Sequence, residues 1–166
     1  MRYHKLKACP QPGTYLMESA LVTEDDILTM AKQLSRKRLS KGRSLTAPHI
    51  VKDHVRELMH DYEHEVFALL LLDSRFRIIG FHELFRGTLS TASVYPREVV
   101  KLALEHNAAA LIMAHNHPSG DPTPSIADIT LTKTLRDALA LVDVRVLDHI
   151  VVATEGCASL AEQGVI

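Results

Sequence analysis

The sequence predicts an α/β (α+β) domain in which helices flank a mixed β-sheet. Three observations carry this. Val66–Leu72 is an unbroken apolar run, which suits a central strand covered on both faces. Asp73-Ser74 then turns the chain and residues 77–85 return as an antiparallel partner, so the sheet is not purely parallel. Downstream, stretches with helical apolar spacing alternate with short apolar runs, the order expected when helices pack on a sheet.

Taken in order, residues 1–22 show no clear period and are expected to be loosely ordered. Residues 23–40 read as a helix: Thr23 and Asp26 make a capping-box-like start, Ile27, Ala31 and Leu34 share one face, and Gly42 is a plausible stop. A second helix begins near Thr46 or Ala47, with Pro48 in its first turn and the stripe Val51, Val55, Leu58 and Met59. Residues 64–72 and 77–85 are the strand pair, and residues 87–95 are expected to hold a short strand. Residues 96–106 form a helix with Val99, Val100, Ala103 and Leu104 apolar, and 109–115 a second buried strand. The Pro-, Gly-, Ser- and Asp-rich stretch 117–124 is a loop. A helix over 125–141 and a strand over 144–153 follow.

A chain of 166 residues suits one compact domain with an N-terminal extension, here divided at residues 1–45 and 46–166. Charge divides similarly. Residues 1–43 hold nine Lys/Arg against four Asp/Glu, whereas residues 44–166 hold ten against sixteen. The extension is therefore basic and the domain acidic, which gives no general electrostatic case for nucleic acid. No apolar run is long enough to span a bilayer and no signal peptide opens the chain. The two cysteines, Cys9 and Cys157, fit no metal spacing, so a reducing cytoplasm is the expected setting.

The chemistry lies in A-H-N-H-P-S-G-D-P-T-P-S-I-A-D, residues 114–128. Side chains at i and i+2 of a strand point the same way, so His115 and His117 can approach one cation together. Pro118 stops the strand and the loop reverses the backbone. Ser125 then suits a helix N-cap, which puts Asp128 one turn in, near the metal. Ser125-x-x-Asp128 is also an ordinary capping motif, and the two readings are compatible. Two imidazoles and a carboxylate leave a tetrahedral zinc one open position for water, the catalytic arrangement. A hydrolytic site also needs a general base. Glu65, opening an apolar strand, and Glu83, in the hairpin partner, are both candidates on residue type and position.

The order Glu, H-x-H, seven residues, Ser, two residues, Asp resembles the JAMM (MPN/JAB) metalloprotease signature. The strings G-T at Gly87, Y-P-R-E at Tyr95, A-H-N-H-P-S-G-D-P-T-P-S at Ala114 and L-D-H-I at Leu147 resemble the RadC-like branch of that superfamily, over about residues 46–166. The resemblance implies a cytidine-deaminase-like JAB/MPN architecture with a mixed, curved sheet and one zinc ion per chain at its edge. It implies His115, His117 and Asp128 as zinc ligands and Ser125 as a group that bonds the tetrahedral intermediate or steadies the site. It favours Glu65 over Glu83 as the acid/base. The implied function is a zinc-dependent hydrolase cleaving a peptide or isopeptide bond in an unknown protein or peptide substrate. The alternatives are a non-catalytic MPN-type binding module, or a DNA-repair or mobile-element protein that contacts nucleic acid through its basic leader. Longer RadC-like chains carry a helix-hairpin-helix module associated with DNA. Residues 1–45 hold no matching hairpin glycines, so the chain reads as the short form, and the family's old DNA-repair label does not follow from the site.

Two further features bear on function. Lys32, Arg36, Lys37, Arg38, Lys41 and Arg43 form a basic run that suits phosphates, though no aromatic residue interleaves it and a solvated helix face explains it as well. His149 is expected to be a satisfied core histidine, with orientation of a ligand as the second reading. The letters H-N-H do not indicate an HNH nuclease, whose named residues are spread along a ββα-metal unit. Oligomeric state is not legible.

Overall fold

Alternation along the strands builds the core. In the computed structural model, which describes residues 2–11, 13–38, 42, 48–60, 62–87 and 94–166, β4 (Val66–Leu72) is buried at every position. Its Val66, Ala68, Leu70 and Leu72 face one apolar cluster, and Phe67, Leu69 and Leu71 face another. Successive strand side chains point to opposite faces, so a run that is apolar throughout must be sandwiched. β5 (Ile78–Arg86) and β6 (Ala110–Asn116) flank β4, both antiparallel to it. β7 (Arg145–Ala153) runs parallel to β6, and β8 (Gly156–Ser159) closes the far side antiparallel. The sheet order is β5-β4-β6-β7-β8.

Three helices cover this sheet. α2 (Pro48–Met59) lays Val51, Val55, Leu58 and Met59 on one face, the stripe that the sequence predicts. Each such side chain contributes about 1.5–3 kcal/mol on burial. α3 (Pro96–Glu105) and α4 (Ile126–Ala140) cover the other face through Val99, Ala103, Leu135 and Leu139. Leu104, placed by its spacing on the apolar face of α3, is 51% exposed. α4 is the crossover between the parallel strands β6 and β7, as parallel pairing requires. The architecture is thus the expected mixed α/β fold, and no helix among the described residues is long and apolar enough to cross a membrane.

The N-terminal region departs from expectation. Residues 1–22 were expected to be loosely ordered, yet β1 (Arg2–Tyr3), β2 (Leu6–Ala8) and β3 (Tyr15–Met17) pair as an antiparallel sheet. Strands of two or three residues are too short to display a period of two, so their pairing leaves no trace in the residue pattern. α1 (Glu24–Arg38) follows, and its buried face holds Asp26, Met30 and Ser35. Ile27, expected to lead the apolar face, is 54% exposed. The reason is polar: the Asp26 carboxylate takes Lys5 and His4 from the small sheet as partners, which turns that side of α1 toward it. The short strand expected over 87–95 and the helix start at Thr46 or Ala47 fall mainly outside the described residues. Cys9 and Cys157 are free thiols.

Candidate metal centre

β6 and the start of α4 form the site. His115 is the last but one residue of β6 and points to the α3/α4 face, as Met113 and Leu111 do. His117 continues the strand direction, its N–H donating to the Val152 carbonyl at 2.7 Å. The chain then reverses through Gly120, whose φ of +96° is the left-handed conformation that glycine adopts without strain. Ser125 caps α4. Its Oγ accepts from the Asp128 N–H at 3.1 Å and donates to Asp128 Oδ2 at 2.6 Å, while its own N–H donates to Oδ2 at 2.7 Å. This capping box holds the Asp128 side chain where the histidines point.

His115, His117 and Asp128 each offer a ligand atom, and the three atoms lie within 4.8 Å of one another. The two Nε2 atoms are 2.9 Å apart. His115 Nε2 is 3.3 Å from Asp128 Oδ1, and His117 Nε2 is 3.5 Å from Oδ2. The His117 Nδ1 is already engaged, donating to the Asp121 carbonyl at 2.9 Å. Nε2 is therefore the atom it has left for a cation. Two imidazole lone pairs directed at each other beside a carboxylate repel unless a positive charge sits among them, so the donor set itself fits a cation. Nitrogen, nitrogen and carboxylate oxygen are zinc ligands. Burial works to raise the Asp128 pKa, but the adjacent His115 and His117 imidazoles and the Ser125 hydroxyl hold it far below the usual carboxylate range. The hydrogen bond to Asp128 raises the His117 pKa, with burial opposing.

The two candidate bases lie in different surroundings. Burial raises the Glu65 pKa, and the charges that act on its carboxyl are those of His115, Asp128 and His117. Glu83 instead accepts from the Tyr62 hydroxyl at 2.6 Å and from Arg86 at 2.8 Å. Burial would raise the Glu83 pKa, but these hydrogen bonds outweigh it and hold the pKa down, and Arg36 of the basic run adds to the same effect. Glu83 is thus engaged by Tyr62 and Arg86, whereas the charges that bear on Glu65 are those of the cluster. Lys41 and Arg43 of the basic run lie outside the described residues.

Three residues support the site: Asn116 and Thr132, which the sequence reading did not single out, and His149, expected to be a satisfied core histidine with orientation of a ligand as its second reading. Asn116, 2% exposed between the two histidines, points to the opposite face of β6. Its Oδ1 accepts from Val66 N–H at 2.8 Å, and its Nδ2 donates to the His64 carbonyl at 3.0 Å and the Tyr62 carbonyl at 3.3 Å. The backbone on both sides of Glu65 is thereby fixed to the strand that carries the histidines. His149, fully buried, sits 2.8 Å from His115 Nδ1 through its Nε2 and 2.6 Å from Thr132 Oγ1 through its Nδ1. Burial drives its pKa well below the ordinary histidine value, with His115 contributing. Thr132 lies four residues beyond Asp128, and it interrupts the buried stripe of α4 that Leu135 and Leu139 continue. A polar residue in such a stripe is the signal that points to it.

The RadC-like JAB domain family model matches residues 45–165. A UPF0758 protein of Vibrio cholerae is 58% identical over 141 residues, which cover 85% of this chain and 89% of that protein. A UPF0758 protein of Thiobacillus denitrificans is 47% identical over 163 residues, 98% of this chain and 72% of the relative. One from Cellvibrio japonicus is 52% identical over 138 residues, and the aligned part is 62% of its length. None of these names states an activity. Matched over most of its length by the family model and by these relatives, the chain belongs to the RadC-like JAB domain family, within the JAB/MPN superfamily.

Proposed function

We propose that the chain is a zinc-dependent hydrolase of the JAMM type that cleaves a peptide or isopeptide bond. The observation that carries the reading is the convergence of His115, His117 and Asp128, with Glu65 as their electrostatic neighbour. These three side chains would hold one zinc ion and leave a coordination position for water. Zinc bound there would polarise the scissile carbonyl and bring the pKa of water to about 7.

The remaining work falls to this chain's own side chains. Glu65 takes a proton from the attacking water and returns it to the leaving amine nitrogen. Its burial-raised pKa suits a group that must both accept and release a proton near neutrality. Ser125 steadies Asp128 through its hydroxyl, a role its hydrogen bond to Oδ2 supports, and lies exposed where a substrate carbonyl would approach.

The test combines metal analysis with a Glu65→Gln variant. The expected result is one zinc per chain in both proteins, cleavage of members of a peptide and isopeptide library by the parent, and turnover about 10²–10⁴-fold lower in the variant. A parent that takes up no zinc, or a Glu65→Gln protein that cleaves as fast as the parent, overturns the reading. A zinc-loaded parent that cleaves nothing while binding a partner favours the non-catalytic module.

A further inference from the structure

Behind the cluster runs a chain of hydrogen bonds whose direction one atom decides. The Asp128 carbonyl oxygen can only accept, so the Thr132 hydroxyl, 2.6 Å away, donates its single proton there. Thr132 Oγ1 is then left as an acceptor for His149, and the His149 Nδ1 at 2.6 Å must carry a hydrogen. His149 is fully buried with a hydroxyl and an imidazole as its ring partners and, among the described residues, no carboxylate on either nitrogen, a setting that favours the neutral ring. A neutral imidazole with Nδ1–H has a bare lone pair on Nε2. That lone pair faces His115 Nδ1 at 2.8 Å, so His115 donates from Nδ1. The only ring atom His115 has left is Nε2, the one aimed at His117 and Asp128.

We propose that His149 and Thr132 are positioning residues of the metal centre, a buried relay that fixes His115 in the Nδ1–H form and ties it back to the helix turn carrying Asp128. The relay begins at the ring of His115 and ends at the backbone of Asp128, on the side away from solvent. It therefore sets both the orientation of His115 and its distance from Asp128 before any metal arrives. A ligand histidine commonly gives its second N–H to a carboxylate, carbonyl or water. Here the acceptor is another imidazole, which can accept only while its far nitrogen is held as a donor. That requirement gives Thr132, which touches neither histidine ligand, its part in the metal site. The inference rests on the metal-centre reading above.

The experiment measures zinc affinity by chelator competition and His115 tautomer by long-range ¹H–¹⁵N NMR of the metal-free protein. Outer-shell partners of this kind are worth about 10–100-fold in metal affinity. His149→Leu is expected to weaken zinc by that factor. Thr132→Val, nearly isosteric and less disruptive to the core, is expected to weaken it in the same direction. His149→Gln presents an amide oxygen in place of Nε2, and Thr132→Ser keeps the hydroxyl, so both are expected to bind close to the parent. NMR of the parent is expected to show His115 protonated at Nδ1. Parent-like affinity in folded Thr132→Val and His149→Leu, or a His115 that carries its hydrogen on Nε2 alone, overturns the relay while leaving the hydrolase reading intact. A parent that binds no zinc overturns both.

Discussion

Two helices of this protein open with the same four-residue device, and only one of them presents a candidate metal site. At α1, Thr23 and Asp26 exchange bonds: Thr23 N–H and Oγ1–H both reach Asp26 Oδ2 at 2.9 Å, and Asp26 N–H returns to Thr23 Oγ1 at 3.2 Å. At α4, Ser125 and Asp128 repeat this bond for bond. What differs is the group opposite the carboxylate. Asp26 meets the Lys5 ammonium along with His4, so its countercharge is built into the chain. Asp128 meets two imidazoles whose other nitrogens are already engaged, and no lysine or arginine pairs with it among the described residues. A cap with a resident cation is a tether, and a cap facing two imidazole nitrogens is a candidate metal site. The motif alone does not distinguish them.

The sharpest way to break this comparison is to neutralise each carboxylate in turn. Asp128→Asn keeps an oxygen that can accept from Ser125 N–H, so α4 should stay capped, but the charged ligand is gone. Stoichiometric zinc after dialysis is expected in the parent and absent in this variant, with a melting temperature near the parent's. Asp26→Asn should leave zinc content unchanged. Equal zinc loss in both variants would abolish the distinction.

Acidity offers a second probe. The His117 pKa is raised above 6.5, so protons already compete for its Nε2 above that pH, and zinc affinity is expected to fall as pH drops through the neutral range. Chelator competition across about pH 5–8 measures it. The opposite edge of the site can be probed through Asn116. Replacing it with leucine leaves the buried Val66 N–H without its partner and removes the bonds to the half-buried carbonyls of His64 and Tyr62, at a cost of about 1–3 kcal/mol in urea unfolding. The smallest effect concerns the tether. Hydrogen bonds from Lys5, Thr23 and His4 depress the Asp26 pKa, so its contribution is complete above the ordinary value of 3.8 and fades as pH falls toward the depressed one. Amide exchange in residues 6–17 should quicken only in that acid range.

The sequence is most informative where neighbours in the chain are neighbours in space. His115, His117 and Asp128 are joined by one strand end, one loop and one helical turn, so their meeting follows from strand parity and a cap. The all-apolar β4 announces its own burial in the same way. Asn116 is hidden by its company: its partners are at residues 62–66, and only the β4–β6 pairing brings them together. His149 reaches His115 because β7 lies parallel beside β6, a pairing that no local pattern encodes. Ile27 misled because apolarity was weighed and the pull of Lys5 on Asp26 was not. Residue type alone leaves Glu65 and Glu83 open, since it is silent on the neighbours each carboxyl meets: Tyr62 and Arg86 for Glu83, the charges of His115, Asp128 and His117 for Glu65.

The closeness of His115, His117 and Asp128 along the chain has a thermodynamic consequence for the zinc proposed there. Histidines two apart remain near each other when the protein is denatured, so the unfolded chain retains some hold on the ion. Any such hold subtracts from the stabilisation that binding confers on the native state. The rise in melting temperature on adding zinc should therefore understate the native affinity, and the shortfall measures how much of the chelation survives without a fold. What distant residues such as His149 and Asn116 add is the remainder, the part of the affinity that only a folded chain possesses.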